Sequence, residues 1–201
     1  MIVQRLIKNK NHTYSVNIDG TVYQFNEETI VKYRLVEGKE LTKETLIEAL
    51  KKDELAGFYT KALNYAVRYG KNQAEVSDYL REKGLMPAEI SGILQELIRI
   101  RALDDNRLCV ALTDSLVRNA NGRIRIEAKL KERRFSAEQI AQAVEGIDRE
   151  LYMEVLSKLY DKIKDKYKDE PFVKKMKIQR YLFGRGYTYA DIDELFRSKQ
   201  N

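Results

Sequence analysis

The chain has 201 residues, with 37 Lys and Arg against 31 Asp and Glu, a net charge of +6, one His, one Cys, no Trp and two Pro. A lone cysteine excludes an intrachain disulfide, one His with one Cys excludes the usual His/Cys zinc site, and 43% hydrophobic residues argue against wholesale disorder. Pro at about 1%, against a usual ~5%, points to long uninterrupted helices, because Pro breaks helix interiors.

The opening ten residues carry no apolar core of a signal peptide, and no run approaches the ~18 apolar residues that span a bilayer. A soluble cytoplasmic protein with no membrane contact, acting as a monomer, is the expectation. Residues 3–7, 13–18 and 21–25 are rich in β-branched and aromatic side chains. Tyr14, Val16 and Ile18 alternate with Ser15, Asn17 and Asp19, as in a half-buried strand. Asp19-Gly20 is a hairpin turn and residues 9–11 form another, so a small three-stranded meander is predicted. Two short helices should follow, at 27–33 behind Asn26 and at 43–51 behind Thr42. The first fifty residues hold seven bases and seven acids.

From Glu54 onward the pattern is helical and repeats. With Leu80, Leu130 and Leu182 as anchors, 50 and 52 residues apart, Val76, Ile126 and Ile178 stand one helical turn earlier. Three positions after the anchor come the bases Lys83, Arg133 and Arg185, then Gly84, Arg134 and Gly186. The two glycines suit left-handed helix ends. Met86, Ser136 and Thr188 follow as N-caps, with Glu89, Gln139 and Asp191 three positions on, and Pro87 fits the first turn of its helix. A longer amphipathic helix precedes each pair, at 55–69, 106–119 and 149–166. The fold expected is therefore mainly all-α: three tandem three-helix repeats in an elongated array, after a small N-terminal β-meander with short helices. The divisions are 1–52, 53–103, 104–147 and 148–201.

These residues resemble a known family. Lys61-Ala-Leu-Asn-Tyr-Ala, then Glu75-Val-Ser-Asp-Tyr-Leu-Arg-Glu-Lys-Gly-Leu and Leu103-Asp-Asp, are similar to the first repeat of RecX regulatory proteins. Gly122-Arg-Ile-Arg-Ile-Glu-Ala-Lys-Leu resembles the opening of that family's second repeat, and Tyr181-Leu-Phe-Gly-Arg-Gly-Tyr-Thr-Tyr-Ala-Asp-Ile its closing repeat. The N-terminal segment resembles an extension carried by some, Gram-positive-like members. Arg134 departs from the family's usual Gly, and Gly70-Lys71-Asn72 from its usual turn before the second helix. The resemblance implies a non-enzymatic modulator of RecA recombinase. Such proteins lodge in the RecA–single-stranded-DNA filament and lower recombinase, ATPase and coprotease output, in the setting of homologous recombination and the SOS response.

The remaining chemistry fits that expectation. His12 reads as a solvated turn residue, Cys109 as a buried thiol, and Asp104-Asp105 as a helix cap beside the dipole. No P-loop or complete dinucleotide fingerprint occurs, and no cofactor is expected. Bases concentrate instead: seven against two acids from Arg118 to Arg134, and ten against four from Lys158 to Arg185. Lys158 to Lys168 alternates in sign, as in a solvated helix extension. Arg125, Lys129 and Arg133 fall at i, i+4 and i+8 beside the core face, and Lys177, Tyr181 and Arg185 occupy the same columns; the first repeat has Glu75, Tyr79 and Lys83 there. The candidate partner-binding residues are Arg118, Arg123, Arg125, Lys129, Arg133, Arg134, Lys174, Lys177 and Arg185, facing the RecA nucleoprotein filament with a weak direct contact to DNA. Most of the thirteen tyrosines are expected to pack in the core and between repeats. The competing reading is a direct DNA- or RNA-binding protein of helix-turn-helix type. Against it, the third helix of the first repeat opens Pro87-Ala-Glu-Ile-Ser-Gly, acidic where base-reading side chains belong.

Overall fold

The computed structural model describes residues 1–199 and opens with strands β1 (Val3–Lys8), β2 (Thr13–Ile18) and β3 (Thr21–Asn26), joined in an antiparallel sheet of order β1-β2-β3. Asp19 and Gly20 both take positive φ, 47° and 86°, as the tight two-residue hairpin requires. The first turn is a single 3-10 turn, Lys10–His12. Helix α1 (Glu27–Tyr33) follows and ends in Arg34, which is left-handed.

Helix α2 (Lys43–Tyr69) is one uninterrupted element of 27 residues, about 40 Å long at 1.5 Å per residue. The sequence reading divided it into a helix at 43–51 and another at 55–69. The run Lys51-Lys52-Asp53-Glu54 between those two spans consists of helix-compatible residues, and Gly57 alone does not stop the helix. Asp53 instead accepts a hydrogen bond from the Asn26 N–H at 2.6 Å, tying the middle of the helix to the sheet's last strand. Leu46 and Ala49 complete a core with Val3, Val16, Ile18, Phe25, Ile30, Leu35 and Leu41.

The other helices are α3 (Gln73–Glu82), α4 (Pro87–Arg99), α5 (Asp105–Arg118), α6 (Arg123–Glu132), α7 (Ala137–Glu145), α8 (Arg149–Ile163), α9 (Pro171–Gly184) and α10 (Tyr189–Ser198). They fall into three successive sets of three, α2–α4, α5–α7 and α8–α10. Ser136 with Gln139 and Thr188 with Asp191 form the expected capping boxes, and Glu89 accepts the Met86 N–H. The chain forms two compact units, one of Met1–Tyr69 with Val76–Ala102, the other of Gly70–Glu75 with Leu103–Asn201. In the second unit the anchors Ile126, Leu130, Ile178 and Leu182 join Tyr152, Leu156, Tyr187 and Ile192 in one core. Among the described residues no helix is long and apolar enough to cross a membrane.

Within that second unit the last two helix sets meet backbone to backbone. The Gly122 N–H donates to the Arg185 carbonyl at 2.9 Å, and the Ile124 N–H to the Gly186 carbonyl at 3.1 Å. A Cβ on Gly122 would stand 2.1 Å from the Gly186 carbonyl carbon, and one on Gly186 would stand 2.4 Å from the Arg125 Cβ. Gly122 has an ordinary φ of −78°, so its lack of a side chain serves this approach alone.

Substitution separates the two roles of glycine here. Gly122→Ala should cost about 3 kcal/mol, the upper range for overpacking where only backbone can yield. Gly184→Ala has open space around its Cβ, lies in a helix, and should be neutral or stabilising by up to about 1 kcal/mol. Urea unfolding midpoints of the two variants check the contrast.

Candidate binding surface

The basic column after each anchor has a structural use in the second and third sets. Arg185 donates from Nε to the Ala120 carbonyl at 2.9 Å and also to the Asn119 carbonyl, so its charge covers the free carbonyls at the end of α5. Arg133 repeats the device: it donates to the Gly70 carbonyl at 2.8 Å and to the Glu75 carboxylate, while Asn72 Nδ2 donates to the Arg133 carbonyl at 2.6 Å. Gly70 and Ala120 occupy matching places, with φ of 56° and 53°. Asn72, fully buried, and Glu75 cap α3 reciprocally, the Glu75 N–H reaching Asn72 Oδ1 at 2.9 Å and the Asn72 N–H reaching Glu75 Oε2 at 3.0 Å. Burial pushes the Glu75 carboxyl up. Hydrogen bonds from Arg133, the Asn72 N–H and Lys71 outweigh that and hold it below its ordinary value.

Arg133 and Arg185 were expected on the binding surface, yet the donors named above are spent inside the fold. Of the stripe of three expected on α6, Arg133 makes these bonds while keeping part of its side chain exposed, and Arg125 and Lys129 are half-buried beside Ile126 and Leu130. Arg125 makes a 3.3 Å bond to the Gly184 carbonyl, and among the described residues Lys129 has no side-chain partner. Arg134 is exposed and left-handed at φ 63°, in the column where Gly84 and Gly186 are also left-handed at 88°. Arg123 stacks over the Tyr152 ring with 5.7 Å to its centre, and its N–H donates to the Tyr152 hydroxyl at 3.1 Å. Lys177 pairs with Asp169 at 2.7 Å, and Lys174 is half-buried. Arg118 is exposed beside a groove of about 450 Å³ between α5 and α8. Lys158 and Lys162 share that groove over Leu151, Val155 and Leu159. Neither was singled out from the sequence, although their i, i+4 spacing places both on one face.

The site rests on a buried polar network. The Tyr152 hydroxyl donates to Asp191 Oδ2 at 3.1 Å, Arg149 donates to Asp191 Oδ1 at 2.6 Å, and the Thr188 hydroxyl donates to Oδ2 at 2.7 Å. Burial pushes Asp191 up, but Arg149 and Thr188 hold it below its ordinary value. Burial raises the Tyr152 hydroxyl strongly and the Tyr187 hydroxyl to about 12. This network locks α8 to α10 and presents the Tyr152 oxygen to the start of α6.

The other residues weighed from the sequence lie elsewhere. Asp104 caps α5 through the Arg107 N–H at 2.9 Å, and Asp105 accepts the Gln73 N–H at 3.0 Å. Cys109 is buried and burial pushes its thiol up, which disfavours the reactive thiolate. His12 is exposed and within 3.2 Å of Glu27. Tyr152 and Tyr187 are core residues and Tyr65 stacks on Tyr79 at 4.6 Å, whereas Tyr69 and Tyr189 are exposed. Among the described residues no group of three His, Cys, Asp or Glu could hold a metal ion.

Comparison with known proteins matches this architecture. The family model described as the third three-helix domain of RecX matches residues 150–196. A regulatory protein RecX of Enterococcus faecalis is 28% identical over 202 residues, covering 95% of this chain and 73% of the relative. One from Listeria monocytogenes is 28% identical over 184 residues, covering 90% and 68%. The chain is similar to RecX regulatory proteins over nearly its whole length. Two RecX crystal structures share the fold: one has a TM-score of 0.78 at 19% identity, with 98% of both chains covered. The other, RecX from Lactobacillus salivarius, has a TM-score of 0.68 at 24% identity over 73% of this chain and 97% of its own. Those relatives are named regulatory proteins.

Arg133→Ala should cost about 2 kcal/mol, because it uncovers the Gly70 carbonyl and leaves the half-buried Glu75 carboxylate with Lys71 as its one cation among the described residues. The Glu75 contribution is complete above the ordinary carboxyl value of 4.5 and is lost as pH falls through the lower folded value. Acidification from pH 6 to pH 3 should therefore destabilise the unsubstituted protein more than Glu75→Gln, as thermal unfolding across that range would record.

Proposed function

We propose that the protein binds the RecA–single-stranded-DNA filament and restrains RecA recombinase, ATPase and coprotease activity by occupancy, as a cytoplasmic monomer without chemistry of its own. The observation that carries this reading is the likeness to RecX regulatory proteins over nearly the whole chain. The basic surface supports it. Arg118, Arg123, Arg125, Lys129, Arg134, Lys174 and Lys177 all belong to the second and third repeats, 104–147 and 148–201, whereas residues 1–52 serve as an appended segment. Cations at this density suit phosphates or acidic protein surfaces.

A nucleic-acid reader of helix-turn-helix type is the second reading, and the third helices weigh against it. Glu89, Gln139 and Asp191 spend their side chains on their own helix starts, leaving no base-reading group there. Binding to naked DNA with a steep salt dependence would support that reading.

Added well below one molecule per RecA, the protein should lower single-stranded-DNA-dependent ATP hydrolysis; unchanged hydrolysis at equimolar protein refutes the proposal. Charge reversal of Arg125 and Lys129 together should weaken filament binding by about 10-fold or more while moving the thermal midpoint little. Equal loss of fold and binding would make the stripe structural.

A further inference from the structure

Helix α9 turns Ile178 and Leu182 into the core. A solvent-facing side, about 120° round the helix from them, carries Phe172, Met176 and Phe183, at spacings of four and seven residues, and they are 74%, 50% and 42% exposed. Tyr189, 70% exposed, extends the row, with its ring 5.9 Å from that of Phe183. Large apolar side chains in a contiguous row on a solvent face are costly and mark a contact surface.

The fold does not call for them. In the column of Phe183 the two sister helices carry Arg81 and Lys131, and in that of Tyr189 the sister repeats carry Pro87 and Ala137. In the column of Met176 the second repeat also has an exposed apolar residue, Ile124, so the aromatic part of the row, Phe183 and Tyr189, is what is particular to the last repeat. Its charge is equally one-sided, since residues 171–190 include five bases and no acid. Lys175 and Arg180 flank the row on either side of the helix.

We infer that the outer face of α9 docks as an apolar ridge into an acid-rimmed apolar groove on a protein partner. On the reading of the preceding subsection, on which this rests, that partner is RecA itself within the filament. A flexible Met at the centre of a helix-spaced ridge fits helix-in-groove packing. Stacking of unpaired bases would call for free aromatic faces, and here Met176 interrupts the row and Phe183 is already covered in part by Tyr189. The ridge and the α6 stripe are then separate contacts, the first apolar and the second ionic.

The experiment compares the unsubstituted protein with Phe172→Asp/Met176→Asp and with the milder Phe172→Ala/Met176→Ala. Each is measured for co-sedimentation with RecA filaments assembled on single-stranded DNA and for anisotropy on the DNA alone. Exposed positions should leave thermal unfolding unchanged in both variants, and the Ala pair keeps the test valid should the Asp pair misfold. The expected result is filament affinity at least 10-fold weaker for the Asp pair and a smaller loss for the Ala pair, with DNA binding unmoved. Undiminished filament binding by both variants overturns the inference alone. A parallel loss on naked DNA overturns it too, by giving the ridge to nucleic acid. If the unsubstituted protein does not bind filaments, the proposed function falls and takes this inference with it.

Discussion

The second unit depends on the close approach of two glycines. With no side chain at Gly122 or Gly186, the start of α6 presses its N–H groups onto the carbonyls of Arg185 and Gly186. Donors at a helix start and acceptors in a tight turn, each without a partner in its own element, satisfy one another. The same contact brings Arg185 onto the end of α5, where a cation meets the free carbonyls and the negative end of the helix dipole. Arg133 applies this chemistry to the Gly70 carbonyl, so one arrangement of turn and guanidinium occurs twice, fifty residues apart. The burial of Tyr152, Leu182 and Tyr187 follows from it, and so does the placement of Arg125 beside Gly184.

Much of this was legible in the residues. The repeat columns named the core anchors, the left-handed turns and the capping boxes, because those features depend on neighbours within a few positions. Helix α2 reads as two pieces in the sequence; its continuity is supported by Asp53 and Leu46, which contact strands distant in sequence. The basic column was legible as a column, but not in its purpose. Periodicity shows that Arg133 and Arg185 share a helix position, whereas the carbonyls they cover lie about sixty residues away. Arg134 in a left-handed turn shows the reverse limit: the column predicts the conformation, and the residue type alone argues against it.

Function divides along the same line. Arg133 and Arg185 hold turns together, and on the proposed reading the cations from Arg118 through Lys177 form a basic region beside the network of Tyr152, Asp191 and Arg149. Neither a metal cluster nor a reactive thiol is found among the described residues. On the proposed reading, cations and an apolar ridge on a scaffold of short helices act through what they cover, and affinity for an extended partner accumulates from several modest contacts.

One comparison tests this account most directly: binding of the intact protein to RecA filaments on single-stranded DNA, beside binding to RecA alone and to the DNA alone, at one salt concentration. The account predicts that the assembled filament is bound well over 10-fold more tightly than either component. Equal affinity for the naked DNA and the filament contradicts it.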